Sequence, residues 1–91
     1  MEEDLASAFA AGMAPGSPEA DELADRHREA LSRFYSVSPQ RHVLLGRMYP
    51  TDPSFRIHCD RLAEGLVDWL PLVIDARARS LGIDPETAAW E

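Results

Sequence analysis

A chain of 91 residues with 9 basic and 16 acidic side chains, net charge −7, argues against nucleic acid as its partner, because phosphate binding needs a net positive face. One domain of this size buries only about 60–65% of its unfolded surface and is stable by only about 5–9 kcal/mol, so no second domain fits. Its single cysteine excludes an internal disulfide and leaves no thiol cluster for zinc.

Residues 4–13 place Leu5, Phe9 and Met13 at i, i+4 and i+8, the stripe of a short acidic helix within residues 1–13. Ala14-Pro15-Gly16 breaks the chain, and Ser17-Pro18-Glu19 restarts it with a cap, a proline and an acid suited to a helix N-terminus. The second helix is expected to run to about Tyr35, with Leu23, His27, Ala30, Leu31 and Phe34 on its apolar face. Ser38-Pro39 begins a third, which carries His42, Leu45 and Tyr49 along one stripe, Leu44 and Met48 beside it, and stops against Pro50. Asp52-Pro53 begins a fourth, whose stripe runs Phe55, Cys59, Leu62, Leu66, Trp69 or Leu70, and Val73. Pro71 sits inside that stripe, where it removes a hydrogen bond and costs about 3 kcal/mol unless the helix yields. A kink or break near Trp69 is the expectation. Leu81-Gly82-Ile83 reads as a C-cap with a hydrophobic follow-on, Asp84-Pro85-Glu86 as the start of a last turn or short helix, and Trp90 as its anchor.

With no alternating strand pattern and no internal repeat, the expected fold is all-α, a compact bundle of four to five short helices. Its core spans residues 17–80, and residues 81–91 form a C-terminal extension. The longest apolar run, from Trp69 to Ile74, is far short of the roughly twenty residues that cross a bilayer. The start Met1-Glu2-Glu3-Asp4 lacks the regions of a signal peptide, so a cytoplasmic location is expected. Charge is uneven: residues 1–25 hold seven acids and no base, and residues 26–61 seven arginines against three acids. Asp60 and Arg61, with Arg26 and Arg28, are candidates for a network joining the second helix to the fourth, or else are solvated ions worth under about 1 kcal/mol each.

His27, His42 and His58 lie fifteen and sixteen residues apart, without the i, i+4 pairing or accompanying thiols of a helical metal site. The expectation is no metal and no cofactor, with His27 a core histidine bonded to a backbone carbonyl. No serine sits in a nucleophile elbow, no carboxylate pair is placed for acid–base work, and no glycine-rich phosphate loop occurs. Enzyme activity is not expected, and there is no catalytic candidate.

The segment RHREALSRFYSVSPQRHVLLGRMYPTDPSFRIHCDRLAEGL, from Arg26 to Leu66, resembles the TipAS antibiotic-recognition domain found at the C-terminus of some MerR-type transcription regulators. The matching positions are His27-Arg28, Phe34-Tyr35, Ser38-Pro39, His42, Leu45, Met48-Tyr49, Asp52-Pro53, Phe55, Asp60-Arg61 and Gly65-Leu66. Departures are Gln40-Arg41 before the histidine, Arg47 in place of a glutamate, and Trp69-Leu70-Pro71. The resemblance implies a bacterial helical domain that binds bulky, largely apolar antibiotics of peptide or polyketide type in a cleft between helices. Such a domain serves as the drug-sensing effector of an attached or separate DNA-binding domain, or as a stand-alone sequestering protein conferring resistance.

Helical spacing alone would read Phe34, Tyr35, Met48, Tyr49 and Phe55 as core. The resemblance turns them, with Leu45 and His42, into the candidate ligand-binding residues, the tyrosines foremost because a hydroxyl wants a polar edge. Some family members capture thiopeptides covalently through a cysteine in the stretch equivalent to residues 34–45, which here holds no thiol. Cys59 is expected as a small core residue with a raised pKa, and binding as non-covalent. The alternative reading is a helical protein–protein interaction module without a small-molecule ligand, and a DNA-binding domain is a distant third.

Overall fold

A computed structural model describes residues 2–34 and 36–88. Five α-helices and one 3₁₀ turn follow one another, α1 Glu2–Ala10, α2 Pro18–Leu31, α3 Pro39–Met48, the 3₁₀ turn Tyr49–Thr51, α4 Pro53–Leu62 and α5 Leu66–Ser80. There is no strand among the described residues, and the all-α bundle expected from the sequence is the architecture observed.

Each proline-start signal works as its chemistry dictates. Ser17 Oγ accepts from the Ala20 amide at 3.2 Å, Ser38 Oγ from the Arg41 amide at 3.2 Å, and Asp52 Oδ1 from the Ser54 and Phe55 amides at 2.9 and 3.3 Å. The proline that follows each cap occupies a position whose N–H would be unsatisfied in any case. Two helices end in Schellman geometry. Gly12 and Gly82, at φ 75° and 82°, let the Met13 amide reach Ala8 O at 3.1 Å and the Ile83 amide reach Ala78 O at 2.9 Å. Asp84-Pro85 then forms a turn in which the Asp84 carboxylate accepts from the Glu86 amide. Trp90 lies outside the described residues.

Two expectations need correction. α2 stops at Leu31, short of Tyr35, because Ser32 Oγ bonds back to Arg28 O at 2.9 Å and satisfies a terminal carbonyl there. The long fourth stripe is two helices, and the break falls at residues 63–65 instead of near Trp69. Ala63 is extended and Gly65 left-handed at φ 90°, and a side chain on Gly65 would sit 3.1 Å from Phe9 Cζ. The chain therefore turns before it meets Pro71, and α5 carries that proline in its interior. Of the two readings left open for the charges around Asp60 and Arg61, solvated ions is the one that fits the structure. Asp60 and Arg61 are exposed, and among the described residues no ion pair joins them to Arg26 or Arg28. α2 is instead tied to α1 by Arg26 and Asp4 at 2.9 Å, and to α5 by a two-pronged Arg77–Asp25 pair at 3.0 and 2.8 Å.

α5 is the axis on which the other helices pack. It buries Leu66, Val67, Trp69, Leu70, Val73, Ile74 and Ala78. α3 meets it through Val43 and Gly46, where a Cβ on Gly46 would stand 2.9 Å from Ile74 Cδ1, so the missing side chain sets the close approach. α1 lies across the bundle, with Leu5 and Ala8 buried, Phe9 against Trp69 at 5.6 Å, and Trp69 Nε1 donating to Met13 O at 3.1 Å. No described helix is long and apolar enough to cross a membrane.

Candidate functional site

Because α4 leaves the 3₁₀ turn at Asp52 and α5 turns back at Gly65, the two diverge and leave an apolar cleft of about 130 Å³ beneath α1. Its walls come from five elements. α1 supplies Glu2 and Leu5, α2 His27 and Leu31, the 3₁₀ turn Tyr49, α4 Phe55, His58, Cys59 and Leu62, and α5 Leu66 and Leu70. Two wider grooves, about 380 and 410 Å³, run along α1 and α2. Charged side chains such as Asp4, Glu22, Arg26, Glu29 and Arg33 line them. Apolar walls with a few placed polar groups characterise small-molecule sites, and the smaller cleft has them.

One wall is a column of rings. Tyr49 stacks on Phe55 with centroids 4.1 Å apart and planes at 13°, His27 meets Tyr49 edge-on at 6.2 Å and 83°, and Phe55 leans on His58 at 6.5 Å. At the deep end His27 Nδ1 is 2.8 Å from His42 Nε2, so an imidazole, not the expected backbone carbonyl, is the partner of His27. The two rings are 8% and 3% exposed. Burial lowers the pKa of His27 to about 4 against the opposing pull of Glu2. Burial, then His27, then Arg28 lower that of His42 to about 3. Both are neutral near pH 7, and a single N–H joins them. At the mouth, half-exposed Glu2 and His58 hydrogen-bond each other across α1 and α4.

Of the seven residues named from sequence, Tyr49 and Phe55 line the cleft. His42 stands one ring behind it. Leu45 and Met48 do not line it, Met48 being 58% exposed, and Phe34 is 84% exposed in the turn after α2. Tyr35 lies outside the described residues. Sequence reasoning passed over Leu31, Leu66 and Leu70, which its apolar stripes contained without assigning to a site, and His27, which it read as core. Nothing in the sequence singles out Glu2 or His58, whose place depends on α1 crossing α4.

Cys59 is 3% exposed, yet it is part of the cleft wall. Its pKa is raised by burial first, then by Glu2 and Asp60, which keeps the thiolate scarce. No cluster of three or more His, Cys, Asp or Glu suited to a metal occurs among the described residues.

No curated protein and no solved structure matches the chain. The sequence pattern of the TipAS antibiotic-recognition domain matches residues 1–76, a span that contains every residue of the cleft wall. The chain belongs to the TipAS antibiotic-recognition domain family.

Proposed function

We propose that the domain binds bulky, largely apolar antibiotics non-covalently in the cleft between α1, α2, α4 and α5, without turning them over. The observation that carries this reading is the ring column of Tyr49, Phe55 and His27 facing Leu31, Leu66 and Leu70, in a chain of the antibiotic-recognition family. Apolar walls supply affinity through area removed from water. The polar atoms of His27, Glu2 and His58 supply orientation.

In this reading Cys59 contributes only apolar surface, and binding is reversible. The domain then serves either as the drug-sensing part of a transcription regulator or as a protein that sequesters the drug. Both roles need occupancy of the cleft alone.

A thermal-shift panel of peptide and polyketide antibiotics tests the proposal. A true ligand at a hundredfold excess over Kd stabilises the domain by about 2.7 kcal/mol. Phe55→Ala and Tyr49→Ala should weaken that ligand about tenfold, roughly 1.4 kcal/mol, while the fold persists. Intact mass after incubation with a dehydroalanine-containing thiopeptide should show the unmodified protein. Absence of stabilisation across the panel, or full affinity in both variants, sinks the proposal, and a stoichiometric adduct on Cys59 sinks its non-covalent part.

A further inference from the structure

The cleft can enclose only a part of a bulky antibiotic. At about 130 Å³ it is close to the roughly 150 Å³ of an apolar cavity that holds one benzene molecule. One ring-sized group is what it can enclose, with the rest of a larger ligand lying across the mouth. Glu2 and His58 at that mouth are half exposed, and each already has a partner in the other.

His27 differs from both. It is 8% exposed, lines the cleft, and has Nδ1 committed to His42. No described residue hydrogen-bonds its Nε2. A polar atom without a protein partner in an apolar wall invites one from a ligand, since a ring that seals the cleft over it without supplying a hydrogen bond forfeits the one that water gives.

The pairing with His42 adds a second property. When the His27 Nδ1–H donates to His42 Nε2, His27 Nε2 is a bare acceptor. When the His42 Nε2–H donates to His27 Nδ1, the His27 proton sits on Nε2 and that atom is a donor. Both arrangements are electrically neutral and keep the 2.8 Å contact.

We infer that His27 is the specificity-determining contact of the cleft, where it receives one planar ring of the ligand and hydrogen-bonds a polar substituent on that ring through Nε2, as donor or acceptor according to the His42 tautomer. This rests on the antibiotic-binding reading above but is tested apart from it, with two probes of equal shape. Phenol carries a hydroxyl where toluene carries a methyl, and both match a ring-sized cleft. Titration of the full chain is followed through the Leu31, Leu66 and Leu70 methyl resonances and the imidazole nitrogens.

Both probes should move the methyls, with phenol binding about tenfold more tightly, and phenol alone should move the His27 Nε2 resonance to saturation. His27→Phe should keep toluene and lose the preference for phenol. The nitrogen readout stands on the unaltered protein, so the test survives if that variant folds poorly. Equal affinities with an unmoved Nε2, or a phenol preference that persists in His27→Phe, would remove His27 from the role and leave the cleft in place. Unmoved methyls with both probes would overturn the ring-sized site itself, and the antibiotic panel then reports separately whether the wider reading falls with it.

Discussion

Helices α4 and α5 come from one continuous apolar stripe, and they end with opposite roles. α5 packs against α1, α2, α3 and α4 and buries seven residues, while α4 buries only Cys59 and leaves Ile57 55% and Leu62 37% exposed. Full burial of a Leu or Ile side chain stabilises by about 1.5–3 kcal/mol, so stability is concentrated in α5. The other helix is covered from one side only, and its inner face becomes the cleft wall. Apolar spacing marks a helix face that wants cover; it does not say whether protein or ligand provides it.

The comparison breaks most readily at Ile74, which is 1% exposed where α3 crosses at Gly46. Ile74→Ala should cost about 3–4 kcal/mol in urea unfolding, a large fraction of what holds a domain of this size together. A loss below about 1 kcal/mol would mean that α5 is not the axis of stability.

Acid sharpens the comparison from the cleft side. His27 and His42 titrate near 4 and 3 in the folded protein, against about 6.5 in the unfolded chain. Their neutral burial is therefore compatible with folding above pH 6.5. As pH falls below that value the unfolded chain takes up protons that the folded one refuses, down to about pH 4 for His27 and pH 3 for His42. From pH 6.5 to 5.5 the two together should remove about 2 kcal/mol. Urea unfolding at the two pH values measures this, and the His27→Phe, His42→Phe double variant should lose much less. An unchanged slope in that variant would place the acid sensitivity in carboxylates elsewhere.

The smallest effects on stability belong to the outer part of α4. Ile57→Ala and Leu62→Ala should each cost no more than about 0.5 kcal/mol, yet only Leu62 lines the cleft. Leu62→Ala should weaken the antibiotic and Ile57→Ala should not. Equal effects on affinity would mean that the ligand covers the outside of α4.

Much of the fold was legible from local chemistry. Ser17-Pro18, Ser38-Pro39 and Asp52-Pro53 start helices because cap and proline act within one turn of chain, and Gly82 ends one for an equally local reason. Less of the cleft could be read. Tyr49 and Phe55 were named as candidates from the family motif and are neighbours in space as well as close in sequence. Phe34 belongs to the same motif but stands in solvent, because α2 ends before it. The break at Gly65 was hidden by a proline six residues later that looked like the stronger signal.

The three proline-capped helix starts, the all-α class and the family were determined by the sequence itself, since each depends on neighbours along the chain or on a pattern of residue types. Which apolar face meets protein and which meets the cleft was decided only by tertiary structure. So were the pairing of His27 with His42 across fifteen residues and of Glu2 with His58 across fifty-six. Those contacts depend on how α1 and α2 come to rest against α3, α4 and α5, and the number of ways to pack five amphipathic helices exceeds what their own periodicities can specify.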